Sequence, residues 1–157
     1  LKVFSMKDRA EIERLIQTVQ INPGAREAHR ELARELTTLI HGADVAKKVE
    51  EAAKALFGQG EISSLDLATL DSALSQLPKT VIKKGQDFPS WVDLLAATGV
   101  VDSKSAARRI VKEGGAYLNN KKVETEDFTP SKSDLLYGKY LLLRKGKRDL
   151  AAVEVEG

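Results

Sequence analysis

The chain has 157 residues, of which 42% are hydrophobic, and its 25 Lys and Arg nearly balance 23 Asp and Glu for a formal charge of +2. This is the composition of one or two small globular domains; no apolar run approaches a membrane span, and no basic-then-apolar leader marks secretion. The absence of cysteine removes disulfides and thiolate metal sites, His29 and His41 are too few for a zinc centre, and a reducing, cytoplasmic location is expected.

Residues 1–78 read as short helices. Ser5 followed by Asp8 resembles a capping box with Asp in the Glu position, and Ile12, Leu15, Ile16 and Val19 keep the spacing of a buried stripe. Asn22 is placed to cap a second helix with Pro23 at its first position, and Ala25, Ala28, Leu32, Leu36, Leu39 and Ile40 form its apolar face up to Gly42. Asp44 caps a third, in which Val45, Val49, Ala52, Ala53 and Leu56 face inward, with Phe57 beside them and Gly58 as the stop. Leu67, Leu70, Leu74 and Leu77 mark a fourth, ended by Pro78. Short helices with short connections predict a compact all-α bundle.

Arg26, Arg30 and Arg34 recur every four residues on the second helix and could reach phosphates. Glu27, Glu31 and Glu35 keep the same period, however, so Glu27–Arg30 and Glu31–Arg34 pairs, each worth roughly a few tenths of a kcal/mol, make this a solvated, self-paired face. His41, directly before Gly42, suits the negative end of a helix dipole better than it suits a catalytic base. Residues 79–89, with Lys83-Lys84-Gly85-Gln86-Asp87 at their centre, lack periodicity and predict a flexible linker.

Residues 90–157 read as a small α+β domain, with two helices against a small, mostly antiparallel sheet. Ser90 opens a short helix with Trp91, Leu94 and Leu95 on its core side and Gly99 as its stop, which assigns the lone tryptophan to the core rather than to base stacking. Ser103 then caps a second helix that Gly114-Gly115 halts. Lys104, Arg108 and Lys112 recur on it every four residues with Arg109 beside them, while Ala107, Ile110 and Val111 form the buried stripe. A strand at 116–118, Asn119-Asn120 and a return through Lys121-Lys122-Val123 predict a hairpin, since Asn tolerates the positive φ of a tight turn. Residues 140–143 and 151–155 read as closing strands around the basic turn Lys145-Gly146-Lys147-Arg148.

The near-neutral total conceals an uneven distribution. Residues 104–122 hold six bases against Glu113 alone, residues 139–148 hold five and no acid, and an acidic connection containing Glu124, Glu126, Asp127 and Asp134 separates them. A basic helix beside a basic hairpin suits a phosphate backbone, because each Lys or Arg contact releases condensed counterions. Lys104, Arg108, Arg109 and Lys112 are the expected phosphate contacts, Ser105 and Asn119 the expected donors to phosphate or ribose, and Lys121 and Lys122 extend the charge onto the hairpin. Two other readings stand beside this one: a ribosome-associated or RNA-modifying protein, and a protein-interaction bundle whose basic patches are only solvated.

The capped basic helix, the double glycine and the Asn-Asn-Lys-Lys hairpin, in that order, resemble the small RNA-binding module shared by a small-subunit ribosomal protein, several pseudouridine synthases and bacterial tyrosyl-tRNA synthetases. The run Arg-Glu-Ala-His-Arg-Glu-Leu-Ala-Arg-Glu-Leu-Thr-Thr-Leu-Ile-His-Gly at 26–42 is similar to the anticodon-binding helical domain of those synthetases. So are the Leu-Lys-Val-Phe-Ser opening and the Ala-Leu-Phe-Gly ending the third helix at Gly58. With its parts in the same order, the chain resembles the C-terminal portion of that enzyme along essentially its whole length.

The resemblance implies a partner and a role. The helical domain would meet the anticodon stem and loop of tyrosine tRNA, and the terminal module would grip the region between that stem and the long variable arm. It also implies a preceding catalytic domain that attaches tyrosine using ATP with magnesium and forms a homodimer. Neither the His-Ile-Gly-His-type nor the Lys-Met-Ser-Lys-Ser-type motif of that domain occurs here, and Leu1 is not an initiator methionine, so the chain reads as an excised piece that binds RNA and catalyses nothing. Ser-Lys-Ser at 103–105 and again at 131–133 is read as coincidence, and no glycine-rich loop after a strand is present to hold a nucleotide. No cofactor, metal or catalytic residue is expected within these residues.

Overall fold

The structure, a computed structural model, describes residues 5–156. It divides into two compact units, Leu1–Glu50 and Glu51–Gly157. In the first, α1 (Arg9–Ile21) begins where Asp8 adopts an extended backbone and its carboxylate accepts from the Glu11 amide at 2.8 Å. Ser5, the expected cap, instead donates its hydroxyl to Glu35 at 2.6 Å. The second helix also starts later than the sequence suggests: Pro23–Ala25 form a 3-10 turn, Arg26 sits in the left-handed region at φ 50°, and α2 spans Glu27–His41. The expected Glu31–Arg34 pair is present at 2.6 Å, with Glu50 adding a second carboxylate at 2.8 Å; Glu27 pairs with Arg14 at 3.0 Å rather than with Arg30.

The core of this unit is thin. Leu15, Ala28 and Ala46 are buried, but Leu39 and Ile40 of the expected apolar stripe are 61% and 70% exposed, and Val45 and Val49 of α3 (Ala43–Leu56) are also exposed. Of the apolar residues expected in a helical bundle over 1–78, Ala52, Ala55 and Leu56 of α3 with Leu70 and Leu74 of α4 (Leu67–Ser75) pack against a β-sheet in the second unit.

That sheet has the order β1-β5-β4-β2-β3, built from β1 (Lys79–Lys83), β2 (Ala116–Leu118), β3 (Lys121–Lys122), β4 (Tyr140–Lys145) and β5 (Asp149–Glu156). All its pairings are antiparallel except that of β1 with β5. Strand β4 is apolar on both faces. Leu141 and Leu143, with Ala151 and Val153 of β5, point toward α5 (Trp91–Ala97) and α6 (Lys104–Lys112), where Trp91, Leu94, Leu95, Ala107 and Val111 complete one core. Tyr140 and Leu142, with Leu150 and Ala152, point the other way, onto α3 and α4. The unbroken run Leu141-Leu142-Leu143 is thus the signature of a strand covered on both sides. The α+β class expected from the sequence is the one found; the sheet, expected behind two helices, lies between two pairs.

The start of the expected linker is part of this sheet. Residues 79–83 form β1, paired in parallel register from Lys79↔Ala152 to Lys83↔Glu156, with Ile82 buried. Thr80, Val81 and Ile82 are β-branched and suit a strand, but a strand of five residues is too short for its alternation to stand out against the neighbouring Lys and Gly. Along the same edge Glu154 of β5 is held between Lys79 at 3.0 Å and Lys139 at 3.1 Å. Among the described residues no helix is long and apolar enough to cross a membrane.

Lys79, and then Lys139, hold the Glu154 carboxyl below its ordinary range. A carboxyl lowered in the folded state stabilises the fold above its unfolded pKa, and this contribution fades as pH falls through the folded value. Glu154→Gln is therefore expected to melt below the native chain at neutral pH, and thermal melts across an acid series should show the gap closing.

Candidate nucleic-acid interface

The basic helix α6 is built as its sequence demands. Ser103, in extended backbone, accepts from the Ala106 amide at 3.2 Å, and at the far end Gly114 at φ 71° allows Gly114 N–H to donate to Val111 and Gly115 N–H to Ile110, both at 2.9 Å. With Ala107 and Val111 buried, Lys104, Arg108, Arg109 and Lys112 fall on the outer side, their side chains more than half exposed. Ser105 is exposed in the first turn.

The ridge is not bare. Lys104 pairs with Asp93 of α5 at 2.8 Å, Arg109 with Glu113 at 4.0 Å, and Glu126 receives both Arg108 at 3.7 Å and Lys112 at 3.2 Å. The acidic connection thus returns alongside the helix it follows. Lys104, and next Ser90, hold the Asp93 carboxyl below its usual range. Exposed pairs of this kind contribute at most about 1 kcal/mol and are screened by salt, so these carboxylates hold the cations only weakly.

In the hairpin, Asn119 and Asn120 both adopt left-handed backbone, at φ 47° and 67°, as a tight two-residue turn requires. Their side chains face inward in function. Asn119 accepts from the Leu142 amide at 2.9 Å and donates to the Asp134 carbonyl, so the residue expected to contact ribose or phosphate braces β2 against β4 and the following loop. Asn120 donates to the Ala55 carbonyl at 2.6 Å, tying the turn to the C-terminus of α3, where Gly58 at φ 77° closes the helix. Lys121 and Lys122 remain exposed, with no carboxylate in ion-pairing range among the described residues, and the Lys122 ammonium lies 3.1 Å from where a Cβ on Gly114 would be. It therefore covers the negative end of α6.

Several basic residues of 139–148 turn out to be structural. Arg144 is 9% exposed, stacks on the Tyr117 ring at 3.8 Å and donates to the Gly146 carbonyl at 2.8 Å. Its position in an alternating strand, on the same side as Leu142, was the available signal. Trp91 is fully buried, as expected, and donates its indole N–H to the Tyr117 carbonyl. The repeated Ser-Lys-Ser has a physical cause: Ser103 opens α6, and Ser131 opens the 3-10 turn Lys132–Asp134, donating from its amide and hydroxyl to Asp134 at 2.8 Å. Both are helix starts. Among the described residues no group of three His, Cys, Asp or Glu side chains is placed to hold a metal ion.

A family profile described as the tyrosine--tRNA ligase SYY-like C-terminal domain matches residues 69–153, from within α4 to within β5. The chain belongs to that family. The tyrosine--tRNA ligase of Streptomyces avermitilis is 56% identical over 157 residues, covering 100% of this chain and 36% of the relative, and that of Streptomyces coelicolor is 54% identical over the same lengths. The ligase of Thermobifida fusca is 49% identical over 154 residues, 98% of this chain and 36% of its own length. The chain thus spans little more than a third of the curated relatives it matches. A solution structure of a tyrosyl-tRNA synthetase C-terminal domain is also similar, with 24% identity, a TM-score of 0.49, and coverage of 62% of this chain and 96% of that one.

Because both ends of the Asn119 amide serve the backbone, Asn119→Ala is expected to lower stability by roughly 1–3 kcal/mol in chemical denaturation. Lys121→Ala, at an exposed site, is expected to stay within about 0.5 kcal/mol of the native chain.

Proposed function

We propose that this chain is the tRNA-binding C-terminal portion of a tyrosine--tRNA ligase. The observation that carries the reading is the basic outer face of α6, continued onto the hairpin at Lys121 and Lys122, in a chain of this family. Lys104, Arg108, Arg109 and Lys112 exchange their carboxylate partners for phosphate oxygens as RNA arrives, and Ser105 donates from the first turn. Arg108 and Arg109 supply the forked geometry that matches phosphate, whereas the lysines act as point charges. Asn119 holds the hairpin in place for this contact.

In finer detail, the second unit grips tyrosine tRNA between the anticodon stem and the long variable arm, and the helical first unit meets the anticodon stem and loop. The whole protein then uses ATP and tyrosine, with magnesium, in a catalytic domain outside these residues, works in the cytoplasm, and dimerises through that domain. For this chain's own residues the chemistry is recognition: placing cations, excluding no reaction and performing none.

Binding should therefore be selective. The chain is expected to bind a tyrosine tRNA transcript more tightly than a tRNA with a short variable arm in filter-binding titrations; equal affinity for both would favour a general RNA module, and no binding to either would sink the proposal. Arg108→Ala is expected to weaken binding and flatten its dependence on salt by at most about one phosphate contact. Glu126→Gln, which releases Arg108 and Lys112 from a carboxylate, is expected to tighten binding by up to about fivefold at low salt.

A further inference from the structure

The geometry points to a second phosphate-binding arm, the turn between β4 and β5 with Lys147 and Arg148 at its tip, which continues the rim formed by Lys122 and the C-terminal end of α6. This inference rests on the RNA-binding reading above and adds residues to it. The turn is fastened to α6 by its backbone. Gly146 N–H donates to the Gly115 carbonyl at 2.7 Å, directly after the helix stop, and the Gly146 carbonyl accepts from buried Arg144 at 2.8 Å. Lys122 reaches the same junction from the other side, its ammonium 3.1 Å from the Cβ position of Gly114. The helix, the hairpin that follows it and the distant β4–β5 turn thus meet at one double glycine.

The bases of this segment then separate into two groups. Lys139 is engaged by Glu154 at 3.1 Å, Arg144 by Tyr117 and Gly146, and Lys145 by Asp149 at 3.1 Å and the Val100 carbonyl at 3.4 Å. Lys147 and Arg148 are exposed and have no carboxylate in ion-pairing range among the described residues. They differ in this from all four cations of α6, each of which shares its charge with Asp93, Glu113 or Glu126. An unpaired cation releases a counterion to solution on meeting a phosphate without first displacing a carboxylate, so it contributes its full share to the salt dependence. Presenting such cations on a turn held at both ends limits the ordering cost of contact. The nearby aromatic ring, Tyr117, is covered by Arg144, which leaves the arm suited to the ribose-phosphate backbone and not to stacking on bases.

The test is a potassium chloride titration of tyrosine tRNA binding by the whole chain. Lys147→Ala/Arg148→Ala is expected to reduce the slope of log affinity against log salt by about two, more than Arg108→Ala/Lys112→Ala does, with the melting temperature unchanged. The swap Lys147→Arg/Arg148→Lys is expected to keep the native slope. If the native chain binds tRNA and the double alanine variant keeps its slope, this arm is not used, and the proposed function stands without it. If the native chain binds no tRNA, that function fails, and the arm falls with it.

Discussion

The second unit depends on the burial of strand β4 from both sides. Leu141 and Leu143 anchor α5 and α6, Leu142 anchors α3 and α4, and the register with β5 places Ala151, Ala152 and Val153 beside them. Large side chains of β4 stand opposite small ones of β5, Leu142 beside Ala152 and Leu143 beside Ala151, which leaves room for helices on both faces of the sheet. The consequence for function is positional. Helix α6 can carry charge along its outer side only because Ala107 and Val111 hold its inner side on that sheet, and the hairpin keeps its lysines outward because Asn119 and Asn120 are fixed inward.

Charge at this surface is arranged as exchangeable pairs. Asp93, Glu113 and Glu126 partly neutralise the helix cations, so no strongly basic stripe stands alone on α6. Under the proposed function such an arrangement trades some affinity for discrimination, because a polyanion must offer several phosphates in the correct positions before displacing several carboxylates at once. In the same proposal the unpaired residues on the hairpin and on the β4–β5 turn are the complement, attracting a polyanion at longer range where screening permits.

Much of the secondary structure was legible residue by residue. Ser90 and Ser103 open α5 and α6, Gly58 and Gly114 close α3 and α6, and the Asn-Asn turn bends the hairpin, all as their types suggest. Where the reading missed, competing local partners were present. Asp8 won the cap of α1 because Ser5 found Glu35, and Arg26 interrupted the entry into α2 although Pro23 already satisfied a helix start. The candidate site shows the same division: all four helix cations lie where their spacing puts them, yet neither their carboxylate partners nor the inward role of Asn119 could be seen from neighbours in sequence.

The sequence by itself determined the helices of the second unit with the caps of α5 and α6, the hairpin turn, the α+β class and the side of α6 that faces water, since each follows from interactions within about four residues. Only the tertiary structure decided that residues 79–83 join β5, that the end of α3 and α4 cover one face of the sheet, that Glu126 sits on Arg108 and Lys112, and that Lys122 and the β4–β5 turn meet at Gly114-Gly115. Each of those contacts joins residues well beyond four positions apart. Their formation depends on which apolar faces find cover on the sheet, a competition settled across the whole unit and not within any one stretch of chain.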